Sequence, residues 1–154
     1  MTEDARERVF LVAEKMREDG ALNFGVFSSP SEMIDAEGIE RAIANAIARG
    51  LKELVPDASD ADVVLDGRLR APEEYYQQAI IRGDSIVPAI SLASIVAKVT
   101  RDRFMSSDAE RAFPGYGLAK HKGYGTAEHI AALKKLGPSS IHRITYLRSL
   151  QVVR

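Results

Sequence analysis

The stretch that decides the fold of this chain begins with Arg82-Gly83-Asp84-Ser85. It ends with two glycine-rich motifs, Pro114-Gly115-Tyr116-Gly117 and His121-Lys122-Gly123-Tyr124-Gly125-Thr126. The residues between them favour a long helix from Ile86 to Arg111, with Pro88 in its first turn, where the missing N–H costs little. A carboxylate therefore ends a predicted strand, and a helix and a glycine-rich loop with two tyrosines follow it. Acidic, basic and aromatic groups so close in sequence indicate a site that acts on a phosphodiester.

One face of this predicted helix is polar. Ser91, Ser94, Lys98 and Arg101 recur every three or four residues, so their side chains share that face. A solvated stripe on a core helix is the ordinary interpretation, because charged side chains usually face water. Since the stripe begins beside Asp84, a phosphate-facing surface is the alternative.

Two aspartates follow predicted strands. The segment 61–67 is a short apolar strand that ends in Asp66-Gly67, and the strand over 78–82 delivers Asp84. Each acid has an ordinary alternative, which is turn chemistry for Asp66 and a helix cap or dipole partner for Asp84. If the strands are parallel, both acids lie at one edge of the sheet and share a divalent cation. Hard oxygen ligands suit Mg²⁺ or Mn²⁺.

The rest of the chain alternates helices with strands, which favours an α/β fold with parallel strands. The further predicted segments are a helix from a Thr2 cap to Asp19-Gly20, a strand over Ala21–Phe27, a short helical piece after Ser28-Ser29-Pro30, a helix over Gly38–Leu54 and a helix over Ala127–Leu136. The first helix is predicted to bury Val9, Val12, Ala13 and Met16. The tail from His142 to Arg154 fits either a strand or a helix.

Composition sets further bounds. A chain of 154 residues with 45% hydrophobic side chains favours one domain over 1–154. With no Cys, disulfides and thiolate metal sites are excluded, and an intracellular setting is natural. No apolar run approaches membrane length and no secretory signal opens the chain. We therefore expect a cytoplasmic protein without membrane association. A monomer is the expected state, although composition does not decide it.

Charge is distributed unevenly along the chain. Residues 1–62 carry 7 basic and 14 acidic side chains, whereas residues 63–154 carry 14 basic and 8 acidic ones. The two parts therefore have net charges of −7 and +6. A polyanion should prefer the C-terminal part, unless the asymmetry is incidental.

Several of these motifs, in the same order and spacing, resemble the ribonuclease HII family. The matching motifs are Val64-Leu65-Asp66-Gly67, Gly83-Asp84, the run from Ala93 to Met105, Phe113-Pro114-Gly115-Tyr116-Gly117, His121-Lys122-Gly123-Tyr124-Gly125-Thr126, Gly137-Pro138-Ser139 and Ile141-His142-Arg143. The run from Ala93 and the His-Lys-Gly-Tyr-Gly block are specific, whereas Gly-Asp and Asp-Gly are weak by themselves. The resemblance covers nearly the whole chain from Thr2 onward.

The resemblance implies a ribonuclease H-like mixed sheet flanked by helices. It also implies an endonuclease that cleaves the RNA strand of RNA–DNA hybrids and ribonucleotides embedded in duplex DNA, with Mn²⁺ or Mg²⁺ as cofactor. Asp66 and Asp84 would be catalytic metal ligands, and Tyr124 would stack on the deoxyribose beyond the ribonucleotide. Backbone phosphate is the expected contact of the remaining candidates, Lys98, Arg101, Lys122 and Arg143.

Some candidate residues have ordinary alternatives. Tyr124 is otherwise a loop aromatic packed on the core. His121 and Lys122 either touch phosphate or are solvated loop residues. Tyr116 is assigned to packing and His142 to a structural role.

One part of the family pattern is absent from these residues. The family opens with a strand that carries an Asp-Glu pair and Gly-Arg-Gly, followed by an Asp-Ser-Lys motif, and neither occurs here. We therefore expect an N-terminally incomplete domain with two of the four metal-binding carboxylates. A non-catalytic hybrid-binding remnant or one half of a complementing pair is the first alternative. A regulatory or structural α/β domain that ignores polyanions is the second.

Overall fold

A computed structural model describes residues 1–149, which fall into two compact units. The first unit consists of residues 1–29 and 40–99, and the second of residues 30–39 and 100 onward. The helices are α1 (Glu3–Glu18), α2 (Ser31–Glu37), α3 (Ile39–Leu54), α4 (Pro88–Phe104), α5 (Glu110–Ala112), α6 (Leu118–His121), α7 (Ala127–Leu136) and α8 (Ile144–Ser149). The strands are β1 (Val63–Asp66) and β2 (Gln77–Ile80). This element pattern confirms the predicted α/β class.

A side-chain cap starts helix α1, and a few apolar side chains pack it against α4. The Thr2 hydroxyl accepts the N–H of Ala5 at 3.3 Å, which confirms the predicted cap. Phe10 and Ala13 are buried in a cluster with Val96 and Val99 of α4. The predicted stripe is wrong in part, because Val12 and Met16 are 60% and 40% exposed. A shallow apolar groove, lined by Met1, Ala5, Arg8, Val9 and Val12, lies along this helix.

The strand predicted over Ala21–Phe27 does not form among the described residues. A strand needs a ladder of hydrogen bonds to a neighbour, and this segment pairs with neither β1 nor β2. Side chains hold the segment instead. The rings of Phe10 and Phe24 meet edge to face at 6.2 Å, and Arg49 donates to the carbonyl of Ser28.

Strands β1 and β2 pair in parallel, as predicted, with Val63 opposite Gln77 and Asp66 opposite Ile80. Both are shorter than the predicted segments 61–67 and 78–82. Leu65, Ala71 and Tyr75 form a buried cluster here, and Ile47 and Leu51 of α3 pack against it. The carboxyl ends of both strands therefore lie at one edge of a small, supported sheet.

The predicted helix from Ile86 to Arg111 is divided. Helix α4 begins at Pro88, in the predicted first turn, and a π-helical turn over Met105–Ala109 separates it from α5. The hydroxyls of Ser106 and Ser107 donate to the carbonyls four residues earlier, at 2.7 and 2.8 Å. Such back-bonding competes with the regular helix ladder, which explains the interruption.

The second unit has its own core around the glycine-rich loop and α7. This core comprises Met105, Ala109, Tyr116, Leu118, Leu133 and Leu147. The Thr126 hydroxyl caps α7 by accepting the N–H of His129 at 3.2 Å, and Gly137 ends the helix with φ of 77°. Both bounds of α7 match the prediction. Tyr116 is buried, which confirms its packing role, and its hydroxyl donates to the carbonyl of Gly137.

The end of the described chain is helical. Helix α8 spans Ile144–Ser149, which decides between the two predictions for that part of the tail. The Asp35 carboxylate accepts the N–H groups of Ile144 and Thr145 at 2.6 and 3.0 Å, so it caps this helix. The remainder of the predicted tail, residues 150–154, lies outside the described residues. Among residues 1–149, none of the helices combines the length and apolar character needed to cross a bilayer.

Candidate functional site

Asp66 and the turn that carries Asp84 are joined by a hydrogen bond. The backbone N–H of Gly83 donates to Oδ1 of Asp66 at 2.8 Å. Asp66 ends β1 and Asp84 lies four residues beyond the end of β2, in a 3-10 turn over Gly83–Ser85. The parallel pairing and this bond therefore bring the two predicted acids to one edge of the sheet.

The turn alternative holds in part for Asp66, whereas the cap alternative does not hold for Asp84. The Asp66 carbonyl accepts the N–H of Leu69 at 3.3 Å and so closes a turn over Gly67, while the Asp66 side chain bonds across to Gly83. Asp84 precedes the first residue of α4, Pro88, by four positions, so it is not at the cap position of that helix. Asp84 is exposed, and its Oδ1 lies 3.3 Å from the Ser85 hydroxyl.

The turn between the acids is sterically demanding. A Cβ on the buried Gly83 would lie 2.7 Å from Cδ1 of Ile90 and 3.4 Å from Oδ1 of Asp66. Arg82, just before it, has φ of 58°, in the left-handed region that non-glycine residues rarely adopt. Such local strain is characteristic of functional sites.

These residues fit a divalent cation in the type of their donor atoms. Two carboxylates offer hard oxygen ligands, and Mg²⁺ is commonly held by one or two carboxylates with water and substrate phosphate. Within the part of the chain that the structure describes, no group of three or more His, Asp or Glu side chains could hold a metal ion. Asp66 and Asp84 would therefore hold an ion in combination with other oxygen ligands.

Tyr124 and Arg101 meet in the second unit. Tyr124 is 55% exposed, which disfavours the core-packing alternative, and the Arg101 guanidinium carbon lies 5.5 Å from the centre of its ring. A Cβ on Gly123, whose φ is 78°, would lie 2.9 Å from Cε of Met105. Gly125 has open space around it and no positive φ. The loop therefore presents an aromatic ring beside a cation.

The other predicted cations have different surroundings. Lys122 has φ of 52° and donates from Nζ to the carbonyl of Ala119 and to the Ser106 hydroxyl. Arg143 is exposed, and its guanidinium carbon lies 5.2 Å from the ring centre of Tyr146, which was not among the predicted site residues. Lys98 is half-buried on the part of α4 that belongs to the first unit.

All three histidines of the chain, His121, His129 and His142, are buried close together in the second unit. His121 stacks on His129 with ring centres 4.3 Å apart, and the Nε2 atoms of His129 and His142 are 3.1 Å apart. Both expectations for His121, phosphate contact and a solvated loop position, are therefore wrong. The structural role predicted for His142 is confirmed by its burial and its bonds to Ser139.

Sequence reasoning missed His129 altogether. Its Nδ1 atom lies 3.0 Å from the carbonyl oxygen of Tyr124, so it contacts the backbone of the candidate stacking residue. The available signal was its place three residues after the Thr126 cap, on a turn shared with the loop. Its pairing with His142 depends on contacts between residues distant in sequence.

Comparison with known proteins gives a consistent result. The family model described as Ribonuclease HII matches residues 2–149. The chain is 45% identical over 130 residues to a ribonuclease HII from Azorhizobium caulinodans, covering 83% of this chain and 49% of that protein. It is 40% identical over 156 residues to one from Chloroflexus aggregans, covering 99% of this chain and 69% of that protein. The first of these relatives is thus matched over about half its length.

Proposed function

This chain belongs to the ribonuclease HII family, and on that basis we propose that it takes part in hydrolysing RNA–DNA hybrids and ribonucleotides embedded in duplex DNA. The observation that carries the proposal is the bond from Gly83 N–H to Asp66 Oδ1, which brings the turn bearing Asp84 to the end of β1. Two carboxylates at the carboxyl edge of parallel strands occupy the usual position of a site in an α/β sheet.

Asp66 and Asp84 are the proposed metal ligands, with Mg²⁺ or Mn²⁺ as the ion. A divalent ion in such a site activates water and neutralises charge on the leaving oxygen. Asp66 contributes a carboxylate held in place by Gly83, and Asp84 contributes an exposed one. The bond to Gly83 fixes the orientation of the Asp66 carboxylate, whereas the Asp84 carboxylate remains accessible to an ion.

The proposed substrate contacts lie on cationic and aromatic side chains. Tyr124 offers a flat ring to a deoxyribose, with Arg101 beside it. Lys98, Lys122 and Arg143 are proposed phosphate contacts, which position a nucleic acid without reading its sequence. The net charge of +6 on residues 63–154 supports binding of a polyanion by this part of the chain.

We further propose that the protein acts as a monomer in the cytoplasm. Light scattering after size exclusion tests the monomer, and cell fractionation tests the location.

Cleavage of labelled duplexes tests the proposed activity. The chain is assayed alone and with an added polypeptide that carries the family's Asp-Glu strand, in Mn²⁺ or Mg²⁺ and with chelator. We expect metal-dependent cleavage next to ribonucleotides and none within all-DNA segments. This cleavage should be lost in Asp84→Asn. Asp62→Asn is the matched control, because Asp62 is an exposed acid just before the opposite end of β1. Hybrid binding without cleavage under every condition would instead support a binding module.

A further inference from the structure

The protonation pattern of the histidine cluster follows from the donors and acceptors around it. The backbone N–H of Ser139 donates to Nδ1 of His142 at 3.1 Å, so that nitrogen carries no proton when the ring is neutral. The proton of neutral His142 is then on Nε2, which faces Nε2 of His129. His142 therefore donates to His129.

The remaining bonds agree with this direction. A carbonyl oxygen only accepts, so Nδ1 of His129 donates its proton to the carbonyl of Tyr124 at 3.0 Å. His129 can then accept from His142 at Nε2, as required. Hydrogen bonds thus run in one direction from Ser139 through His142 and His129 to the backbone of Tyr124.

His121 supports the same loop from another side. It accepts the N–H of Gly123 at Nδ1, at 3.2 Å, and Nε2 lies 2.8 Å from the carbonyl oxygen of Tyr116, to which it donates. Its ring stacks on His129 with an interplanar angle of 20°. The N–H of Gly123 and the carbonyl of Tyr124, next to the candidate stacking ring, are therefore both held by histidines.

We propose that His129, oriented by His142 and stacked on His121, is a positioning residue that holds Tyr124 for nucleic-acid recognition. No histidine of the cluster needs to touch the substrate. Only the last step, contact between Tyr124 and nucleic acid, rests on the proposed function. The geometry of the loop stands independently of it.

The proposal carries a pH dependence with a definite sign. Burial lowers the pKa of both His129 and His142, and the neighbouring histidines lower both further. The titratable groups in contact with them include His121, which stacks on His129, and the Tyr116 ring, which lies 4.9 Å from His142. A second proton on His129 would put two N–H groups head to head at Nε2. Acid below the ordinary histidine range should therefore break the bond between His129 and His142, which orients the His129 ring.

The first measurement is NMR of the full chain with ¹⁵N-labelled imidazoles. With three histidines in the sequence, each ring can be assigned separately. We expect the proton on Nδ1 of His129 and on Nε2 of His121 and His142, and we expect the Tyr124 and Gly125 amide shifts to titrate with His129. The opposite tautomer at His129, or loop amides that ignore its titration, would overturn the proposal even if the protein binds nucleic acid.

The second measurement is a double-mutant cycle on binding to a duplex with one ribonucleotide. His129→Leu removes the donor to Tyr124 and should weaken binding about three- to tenfold, the worth of roughly one hydrogen bond. His129→Asn keeps an N–H near the Nδ1 position and should recover most of the affinity. In a Tyr124→Ala background, His129→Leu should cause no further loss of affinity, because His129 acts through Tyr124.

An additive loss in that background would contradict positioning through Tyr124 and point to a general packing role. Circular dichroism and the melting temperature identify any variant that fails to fold, and the wild-type tautomers then still decide the question. Failure of the wild-type chain to bind any nucleic acid would reject the proposed function alone.

Discussion

Oδ1 of Asp66 accepts the backbone N–H of Gly83 at 2.8 Å, so the end of β1 holds the turn after β2. The bond links a half-buried carboxylate to the residue just before the exposed carboxylate of Asp84. Each acid alone has an ordinary explanation, but the bond makes them parts of one structure. The turn and its glycine can therefore be tested separately from the acids.

Gly83→Ala should destabilise the fold and disturb the candidate site. The added Cβ would lie 2.7 Å from Cδ1 of Ile90, so the side chain or the turn must shift. We expect a loss of about 1–3 kcal/mol in the free energy of unfolding, as for overpacked sites. Urea denaturation measures it, with Gly125→Ala, which has open space, as the control. Equal stability of both variants would contradict this account of the turn.

The glycines beside Tyr124 should respond differently to alanine. Gly123→Ala introduces strain at φ of 78° and a 2.9 Å approach to Cε of Met105, so it should lower stability by about 1 kcal/mol or more. Gly125→Ala should leave stability unchanged and yet weaken nucleic-acid binding, if the backbone there approaches a strand. Paired melting and binding measurements separate the two effects. Unchanged binding by Gly125→Ala would mean that no strand comes close at that position.

Tyr124→Ala should weaken binding to a duplex with a single ribonucleotide more than binding to a long hybrid, where many registers compete. Stacking on an aromatic ring is worth roughly 1–3 kcal/mol where a base is stacked. Tyr124→Phe should retain most of the affinity, because the ring face and not the hydroxyl makes the contact. Fluorescence anisotropy on the two substrates measures this. Equal losses on both, together with a lower melting temperature, would assign Tyr124 to packing.

Hybrid binding should weaken steeply as salt rises. If four cations neutralise phosphates, the logarithm of the association constant should fall by about three to four per tenfold rise in salt. Arg143→Ala should reduce that slope by roughly 1. Lys15→Ala is the control, because Lys15 lies on α1 in the acidic part and pairs with Asp19 at 2.8 Å. A salt dependence that is flat, or that changes equally in both variants, would rule out phosphate binding by these cations.

Asp35→Asn should destabilise the protein at neutral pH and less so in acid. The Thr145 hydroxyl is the main cause that lowers the pKa of the Asp35 carboxyl, with backbone N–H groups of Thr145 and Ile144 adding to it against desolvation. A lowered pKa gives stability that is present above the ordinary value of 3.8 and is lost as pH falls through the folded value. Denaturation at several pH values, with Asp62→Asn as control, tests this. A difference that grows below pH 3.8 would contradict the sign.

Elements with local signals were predictable from the sequence. Thr2 and Thr126 each place a hydroxyl at a helix start, and Gly137 ends α7 through a positive φ that glycine adopts readily. Pro88 likewise stands at the first residue of α4. These features depend on neighbours within one helical turn, which sequence patterns report well.

Features that depend on distant partners were not predictable in the same way. The apolar pattern of Ala21–Phe27 is that of a strand, but a strand also needs a neighbour to pair with. His121 looked like a loop residue because its motif is rich in glycine and lysine, yet it is buried against His129. The nearness of Asp66 to the Asp84 turn was predictable only because parallel pairing fixes where both strands end.

Paramagnetic broadening by Mn²⁺ tests the central claim, a divalent-ion site on Asp66 and Asp84, most directly. In NMR spectra of the full chain, substoichiometric Mn²⁺ should broaden the amide signals of residues 66–67 and 83–85 first. The effect should vanish in Asp84→Asn and persist in Asp62→Asn. Broadening that starts elsewhere, or that is unchanged in Asp84→Asn, would contradict the assignment of these two carboxylates as metal ligands.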